Sequence, residues 1–211
     1  MPLPTRFCWT RFGAEAGESA IPIFARNEAE RIKNGGVFLW GIGNAIGPSI
    51  RALIAAEKRP RVIFSPIKSS PREKDVAPGQ IVRWNAARGL DGGDYIMPPS
   101  SLVTSRAAKD WKISRHYALV CASTVPLMVD APSETFSLQD LRNFVSGNRV
   151  GASQVTSVVS RRLGSKAMIG PFYRACLCLE LVYPYFVQLF EPTLAKPRNG
   201  TSTPMVDAIV A

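Results

Sequence analysis

Three tryptophans offer flat side chains on which a nucleotide base can stack. They are Trp40, Trp84 and Trp111, and stacking on an aromatic ring contributes about 1–3 kcal/mol per base. Asn44 and Ser65 add hydrogen-bonding groups that suit the edge of a base. The alternative for each tryptophan is a core or rim residue, and for Asn44 and Ser65 a turn residue and an exposed serine.

Basic side chains outnumber acidic ones and are concentrated in the middle of the chain. The net charge is +10, and residues 51–115 hold 13 Lys and Arg against 6 Asp and Glu, a net charge of +7. A basic segment with interleaved aromatic residues is typical of a polyanion-binding protein, because neutralised phosphates release counterions. A solvated basic surface that aids solubility is the alternative. The candidates for phosphate contacts are Lys68, Arg72, Lys74, Arg83, Arg106, Arg115, Arg161 and Arg162.

A glycine-rich turn follows a strongly apolar segment. Residues 37–47 read VFLWGIGNAIG, so a GxGxxxG turn from Gly41 to Gly47 separates a strand-like stretch from a helix-like one. This order is typical of a dinucleotide-binding unit, in which glycines let the backbone approach a pyrophosphate. Lys68 and Arg72 would suit the 2′-phosphate of NADP. The alternative function is therefore an NADP-binding oxidoreductase.

Two features of the sequence disfavour that alternative. No acidic residue ends the second strand, near Phe64, to hold a ribose. After Arg61 the predicted strands no longer alternate with helices, as they would in a doubly wound sheet. We therefore predict that the glycines let the chain turn sharply beneath Trp40 and leave Asn44 facing a cleft.

Groups able to catalyse a reaction are scarce. His116 is the only histidine, and on a strand its side chain and that of Cys121 point to opposite faces. Asp91 and Asp94 flank a Gly-Gly pair, which is more typical of a hairpin than of a metal site. We predict a protein that is not an enzyme and that uses no metal or cofactor.

The cysteines indicate the compartment. Cys8, Cys121, Cys176 and Cys178 are too few and too scattered for a disulfide scaffold, and they lack the CxxC spacing of a zinc site. The first 18 residues contain no uninterrupted apolar core of a signal peptide. A reducing, cytoplasmic location is expected.

Apolar spacing and turn residues predict the elements that position these side chains. Helical spacing predicts helices at 21–33, 46–58 and 137–147, the last of them capped by Ser137. Apolar runs predict strands at 5–13, 37–40, 62–64, 81–84, 95–97, 102–104 and 116–123. Short strands separated by Pro and Gly turns indicate an α+β fold: a small curved or closed β-barrel with two to four helices packed outside it.

The apolar run at residues 175–190 raises the question of a membrane. It is shorter than the roughly 20 residues that span a bilayer, and it contains Glu180 and Pro184. We predict no membrane contact, and a helix or strand that packs on the core, on a protein partner or on a second copy of the chain. The predicted organisation is one domain at 1–162, followed by an apolar extension and loose tail at 163–211.

Three segments carry a resemblance to a known group of domains. FLWGIGN at residues 38–44, RVIFSPIKS at 61–69 and DVAPGQIVRW at 75–84 resemble the PUA-like superfamily, whose ASCH, EVE and YTH branches recognise RNA or modified bases in DNA. The likeness covers residues 35–125, and the Lys-Ser-Glu-Pro motif of typical EVE domains is absent.

The resemblance implies a single PUA-like α/β-barrel domain that binds DNA or RNA and reads a modified or flipped base. Such a reader extrudes one nucleotide and holds it between aromatic and polar groups while basic side chains grip the backbone. The predicted base pocket is therefore Trp40, Asn44, Ser65, Trp84 and Trp111.

Overall fold

The computed structural model describes residues 3–12, 20–66, 80–83, 86–96, 103–106, 116–127, 134–162 and 170–190. Its helices are Ala20–Lys33 (α1) and Gly47–Ala56 (α2), and a short 3-10 helix spans Leu138–Asp140. Its strands, in chain order, are Arg6–Phe12 (β1), Val37–Ile42 (β2), Arg61–Pro66 (β3), Gln80–Arg83 (β4), Ala86–Arg88 (β5), Asp94–Ile96 (β6), Val103–Arg106 (β7), His116–Ala122 (β8), Thr135–Ser137 (β9), Leu141–Asn143 (β10), Thr156–Arg161 (β11), Phe172–Arg174 (β12) and Leu177–Phe190 (β13).

The first three strands and the two helices alternate in the order that their sequence signals predict. In β1 the side chains alternate, so Phe7 and Trp9 pack on one face of the sheet and Cys8 and Phe12 on the other. Helix α1 ends two residues before Gly35, where two successive glycines adopt positive φ angles of 62° and 101°. Helix α2 begins with a proline in its first turn, where the missing N–H has no intrahelical partner to lose.

Nine strands form one mixed but mostly antiparallel sheet. Its order is β10-β11-β1-β3-β13-β5-β6, with β8 paired to β13 and β2 paired to β8; β1 and β3 are its parallel neighbours. The α+β class is confirmed. Among the described strands no pairing joins the outer members of the sheet, so the closed barrel is not confirmed.

The sheet buries side chains on both of its faces. The helix-side core is covered by α1 and α2 and includes Phe24, Trp40, Ile50, Leu53 and Phe64. The far-side core includes Phe7, Trp9, Phe136, Leu141 and Val159, and the β9–β12 pair packs over it. Because both faces are covered, consecutive residues are buried in β1 at 7–10 and in β3 at 62–65.

The helix predicted at residues 137–147 is wrong. The Ser137 hydroxyl does cap a turn, since it accepts a hydrogen bond from the Gln139 N–H at 3.2 Å. The turn stops after Leu138–Asp140, and the next three residues pair with β11 as strand β10. Leu138 and Leu141 are buried in the far-side core, so tertiary packing and strand pairing override a weak local preference for helix.

Strand β13 shows what the apolar run at 175–190 does. It pairs with β3, β5 and β8, so this segment lies within the same sheet as the N-terminal strands. Of the predicted alternatives, the structure shows a strand that packs on the core. Its register shifts between Leu181 and Phe186, where Tyr185 has a φ of 67° and Tyr183 is 69% exposed. None of the described helices is both long and apolar enough to cross a membrane.

Gly36 is the glycine whose replacement we expect to cost most in the turn after α1. Its φ is 101°, and a Cβ there would lie 3.1 Å from the carbonyl oxygen of Ser123. Gly36→Ala is therefore expected to lower the free energy of unfolding by about 1–3 kcal/mol in urea denaturation. Gly41→Ala is the matched control, because a Cβ at Gly41 meets nothing within 4 Å. Equal stability of the two variants would contradict the argument.

Candidate functional site

The predicted base pocket is built from residues that the structure places in different environments. Trp40 is 7% exposed and contacts the rings of Phe24 and Phe64, at centroid distances of 5.4 and 4.8 Å. Ser65 is buried, and its hydroxyl accepts a hydrogen bond from the Trp9 indole at 3.0 Å. Neither side chain presents a free surface to a base.

Asn44 is the exposed member of the predicted pocket. Its side-chain amide donates to the backbone carbonyl of Thr156 at 3.3 Å, which ties the glycine turn to β11. Trp84 and Trp111 lie outside the described residues. The base pocket therefore stays a prediction, and the described members are not gathered around a common opening.

The predicted phosphate contacts are only partly placed. Lys68, Arg72, Lys74 and Arg115 lie outside the described residues. Arg83 and Arg106 lie at opposite ends of the β4–β7 pair, where the structure describes the backbone alone.

Arg161 and Arg162 are the two predicted contacts whose side chains are described. Arg161 is half-buried, with Nη1 3.8 Å from the Glu134 carboxylate, and this pairing gives it a role within the fold. Arg162 is exposed, and its backbone N–H donates to the Asp140 carbonyl oxygen at 3.0 Å. Arg162 is therefore available to solvent at the end of β11.

The glycine turn has the predicted strand–turn–helix order but lacks the surroundings of a dinucleotide site. Strands β2 and β3 flank α2, yet β2 pairs with β8 and β3 pairs with β1 and β13, so no parallel pair flanks this helix. Neither Gly41 nor Gly43 has a positive φ, and a Cβ at either would meet nothing within 4 Å. The NADP alternative stays a prediction that lacks the strand pairing it requires.

Strand register brings together arginines that are distant in sequence. Arg6 on β1 lies opposite Ser160 on β11, and Arg142 on β10 lies opposite the same serine. Arg149 then bridges to Arg142 from the outer side of β10. Residues directly opposite in antiparallel pairs share a face, so Arg6, Arg142 and Arg149 form a row across the strands. Adjacent strands are roughly 4.8 Å apart, which gives the row a length of about 14 Å.

Arg162 lies two residues beyond Ser160, so strand alternation places it on the face of this row. We call these four residues, Arg6, Arg142, Arg149 and Arg162, the arginine cluster. Arg162 is its only member among the sequence-predicted phosphate contacts. Arg142 and Arg149 were missed because a helix was predicted at 137–147, in place of the hairpin that sets them opposite each other. Arg6 was missed because its neighbours across the sheet depend on the pairing of β1 with β11.

The charges of the arginine cluster are only partly compensated. Arg6 forms an ion pair with Glu57 at 3.3 Å, and its guanidinium lies 5.5 Å from the centre of the Phe144 ring. Arg142 donates from Nη1 to the carbonyl oxygens of Gln139 and Leu141, at 2.6 and 2.8 Å. These contacts hold two of the cationic groups in place without neutralising both.

Arg149 is exposed, and its side chain forms no hydrogen bond or ion pair with any described residue. It therefore lies opposite Arg142 in the strand pairing, without a counterion among the described residues. Like charges directly opposite on neighbouring strands destabilise a sheet. The fold thus carries an electrostatic cost that a bound anion would remove.

Catalytic groups are not assembled in the described part of the chain. Burial raises the pKa of the Cys8 and Cys121 thiols well above the ordinary value, so both are protonated and poorly nucleophilic near neutral pH. Burial also raises the pKa of Cys178. No three His, Cys, Asp or Glu side chains among the described residues are grouped so as to hold a metal ion.

Comparisons with known proteins give no relative for this chain. No protein-family model matches the sequence, no curated protein matches it, and no solved structure matches the fold. The likeness to the PUA-like superfamily therefore rests on the three quoted sequence segments alone.

The repulsion between Arg142 and Arg149 predicts a gain of stability when one charge is removed. Arg149→Gln is expected to raise the free energy of unfolding by roughly 0.2–1 kcal/mol at low salt, measured by urea denaturation. The gain should disappear in 1 M NaCl, where the screening length falls to about 3 Å. A loss of stability, or a gain that salt does not change, would show that the two guanidinium groups do not repel each other.

Proposed function

We propose that the protein is a nucleic-acid-binding module whose arginine cluster contacts the phosphate backbone. The observation that carries the proposal is the direct opposition of Arg142 and Arg149, within the row begun by Arg6. Like charges on opposite strands destabilise the fold, and a bound polyanion would relieve that destabilisation by neutralising them. The net charge of +10 supports the same partner.

The row suits a phosphate backbone because it is linear and held in register by the sheet. Its length of about 14 Å corresponds to the axial rise of roughly four nucleotides. Arg142 is held by two backbone carbonyls and Arg6 by Glu57, so part of the cost of ordering long side chains is met before binding. Such contacts position the protein on the polymer without reading sequence.

Recognition of a modified or flipped base is the finer part of the proposal. It rests on the PUA-like resemblance and on the stacking capacity of Trp84 and Trp111, since Trp40 is buried. The curved or closed barrel that the resemblance implies belongs to the same proposal. A reducing, cytoplasmic setting fits the free Cys8, Cys121, Cys176 and Cys178.

The test is a binding titration at several salt concentrations. Fluorescence anisotropy would follow labelled single-stranded and duplex DNA and RNA of 20 nucleotides between 50 and 200 mM KCl. If the four arginines each neutralise one phosphate, the slope of log K against log salt is about −3.6 for duplex DNA and about −2.8 for single strands. The form with the higher affinity identifies the preferred nucleic acid.

Two results would contradict the proposal. One is the absence of binding to every nucleic acid at 50 mM KCl, and the other is binding whose affinity does not change with salt. A second set of oligonucleotides, matched in sequence but with one base modified or unpaired, tests the finer part. Equal affinity for all of them would leave backbone binding intact and remove the base-reading role.

A further inference from the structure

Arg11 lies at the end of β1 on the opposite face of the sheet from the arginine cluster. It is five residues from Arg6, so the two side chains point to opposite faces of the strand and lie roughly 17 Å apart along it. In the parallel pairing of β1 and β3, Arg11 lies beside Ser65.

The Arg11 guanidinium is held by aromatic rings. Its central carbon lies 5.6 Å from the centre of the Trp9 ring and 5.7 Å from that of Tyr173. Its Nη1 donates to the Tyr173 hydroxyl at 3.2 Å. The Trp9 indole is in turn oriented by its hydrogen bond to Ser65. The position of the guanidinium is therefore set in advance by neighbouring side chains.

The charge of Arg11 has no counterion in the described part of the structure. Its Nε is buried without a hydrogen-bond partner, and no described carboxylate forms an ion pair with it. A buried donor without an acceptor is destabilising, and more so when the group is charged. Contacts with the two aromatic rings favour the cation but supply neither the missing acceptor nor a negative charge.

The unpartnered edge of the guanidinium is the one that binds oxyanions. Because Nη1 is occupied by Tyr173, the Nε edge with the adjacent Nη2 remains, and these two parallel N–H groups match two oxygens of one anion. We propose that Arg11 is a binding site for a phosphate monoester group, held by two parallel hydrogen bonds from Nε and Nη2. Such a group supplies both the missing acceptor and the missing negative charge.

This site does not depend on nucleic-acid binding by the arginine cluster. The phosphate could belong to a free mononucleotide or inorganic phosphate, or to the 5′ end of a nucleic acid. These sources share the chemistry that Arg11 recognises. They differ in whether a polymer must be attached to the phosphate, which a binding experiment can resolve.

The experiment is isothermal titration calorimetry on the full chain at constant ionic strength. The probes are inorganic phosphate, AMP, and one oligonucleotide with and without a 5′-phosphate. We expect saturable binding of inorganic phosphate or AMP to the unaltered protein, and a loss of at least about tenfold in Arg11→Gln. Arg51→Gln, which removes an exposed arginine outside the arginine cluster, is the matched control and should bind as the unaltered protein does.

The outcomes distinguish the two sources of the phosphate, and they distinguish the Arg11 site from nucleic-acid binding by the arginine cluster. A preference for the 5′-phosphorylated oligonucleotide that Arg11→Gln abolishes assigns the site to a nucleic-acid end, and equal affinity for both oligonucleotides assigns it to a free phosphate compound. The double variant Arg142→Gln/Arg149→Gln should retain phosphate binding at Arg11. If Arg11→Gln does not fold, Arg11→Lys decides, because it keeps the charge and loses the two parallel donors. Equal phosphate affinity of the Arg11 variants and the unaltered protein, or no saturable binding of any probe, would overturn the proposal.

Discussion

Replacing Arg142 and Arg149 together by glutamine is expected to lower nucleic-acid affinity about 10- to 100-fold at 50 mM salt, whatever the sequence of the oligonucleotide. Arg142 and Arg149 lie opposite each other in the strand pairing, and their guanidinium groups are expected to contact neighbouring phosphates. Removing two phosphate contacts should reduce the magnitude of the salt slope by about 1.8 for duplex DNA. Fluorescence anisotropy over a range of salt concentrations measures both quantities.

A control with the same change of charge distinguishes a local contact from an effect of net charge. Arg51 is exposed and donates to the Leu90 carbonyl, and Arg88 is exposed on β5, far from β10 in the order of the sheet. The double variant Arg51→Gln/Arg88→Gln should keep most of the affinity and most of the salt slope. An equal loss in both double variants would mean that binding follows net charge and that the arginine cluster has no special role.

Arg149→Gln alone is expected to change stability and binding in opposite directions. It removes a phosphate contact and relieves the repulsion from Arg142, so the variant should bind nucleic acid less well and should be more stable to unfolding. A substitution that merely damaged the fold would lower both quantities. This opposition of sign is the signature of residues kept for a charged partner at a cost in stability.

Trp40→Ala is expected to lower the free energy of unfolding by about 3–5 kcal/mol, because it removes a large buried side chain that packs against Phe24 and Phe64. A loss of this size is a large fraction of the roughly 5–15 kcal/mol that stabilises a typical domain. Urea denaturation followed by circular dichroism measures it. Asn44→Ala, an exposed position four residues later, is the control and should change stability far less.

Trp40→Phe separates the core role of this residue from the predicted stacking on a base. The phenyl ring retains most of the apolar volume, so the loss of stability should be smaller than in Trp40→Ala. Because the indole is buried, nucleic-acid affinity should remain within about twofold of the unaltered protein. A variant that stays folded but loses its preference for a modified base would show that Trp40 becomes accessible in the complex.

Local sequence signals predicted most of the first half of the fold. The alternation in β1, the glycines after α1 and the proline at the start of α2 each act within a few residues. Such signals depend on residues close in sequence and not on distant contacts, so these elements appear where they were predicted. The same reasoning failed at 137–147, where Leu138 and Leu141 lie three residues apart but belong to the far-side core of a sheet.

The candidate site was much harder to predict than the elements. Trp40 and Ser65 have the chemistry of a base pocket. However, the Trp40 indole is packed in the core, and the Ser65 hydroxyl accepts a hydrogen bond from the Trp9 indole. Residue type reports what a side chain can do. Burial decides whether any surface of that side chain remains for a ligand.

By itself, the sequence determined the α+β class, both helices, most of the strands and the excess of positive charge, because local spacing and composition carry that information. Only the tertiary structure decided that 175–190 is a strand within the main sheet and that Arg6, Arg142 and Arg149 form one row. Strand register decides such neighbours, and it is fixed by the pairing of β11 with β10 and with β1, which lies more than a hundred residues earlier in the chain. The same pairing leaves Arg11 without a counterion, which no local pattern in the sequence indicates.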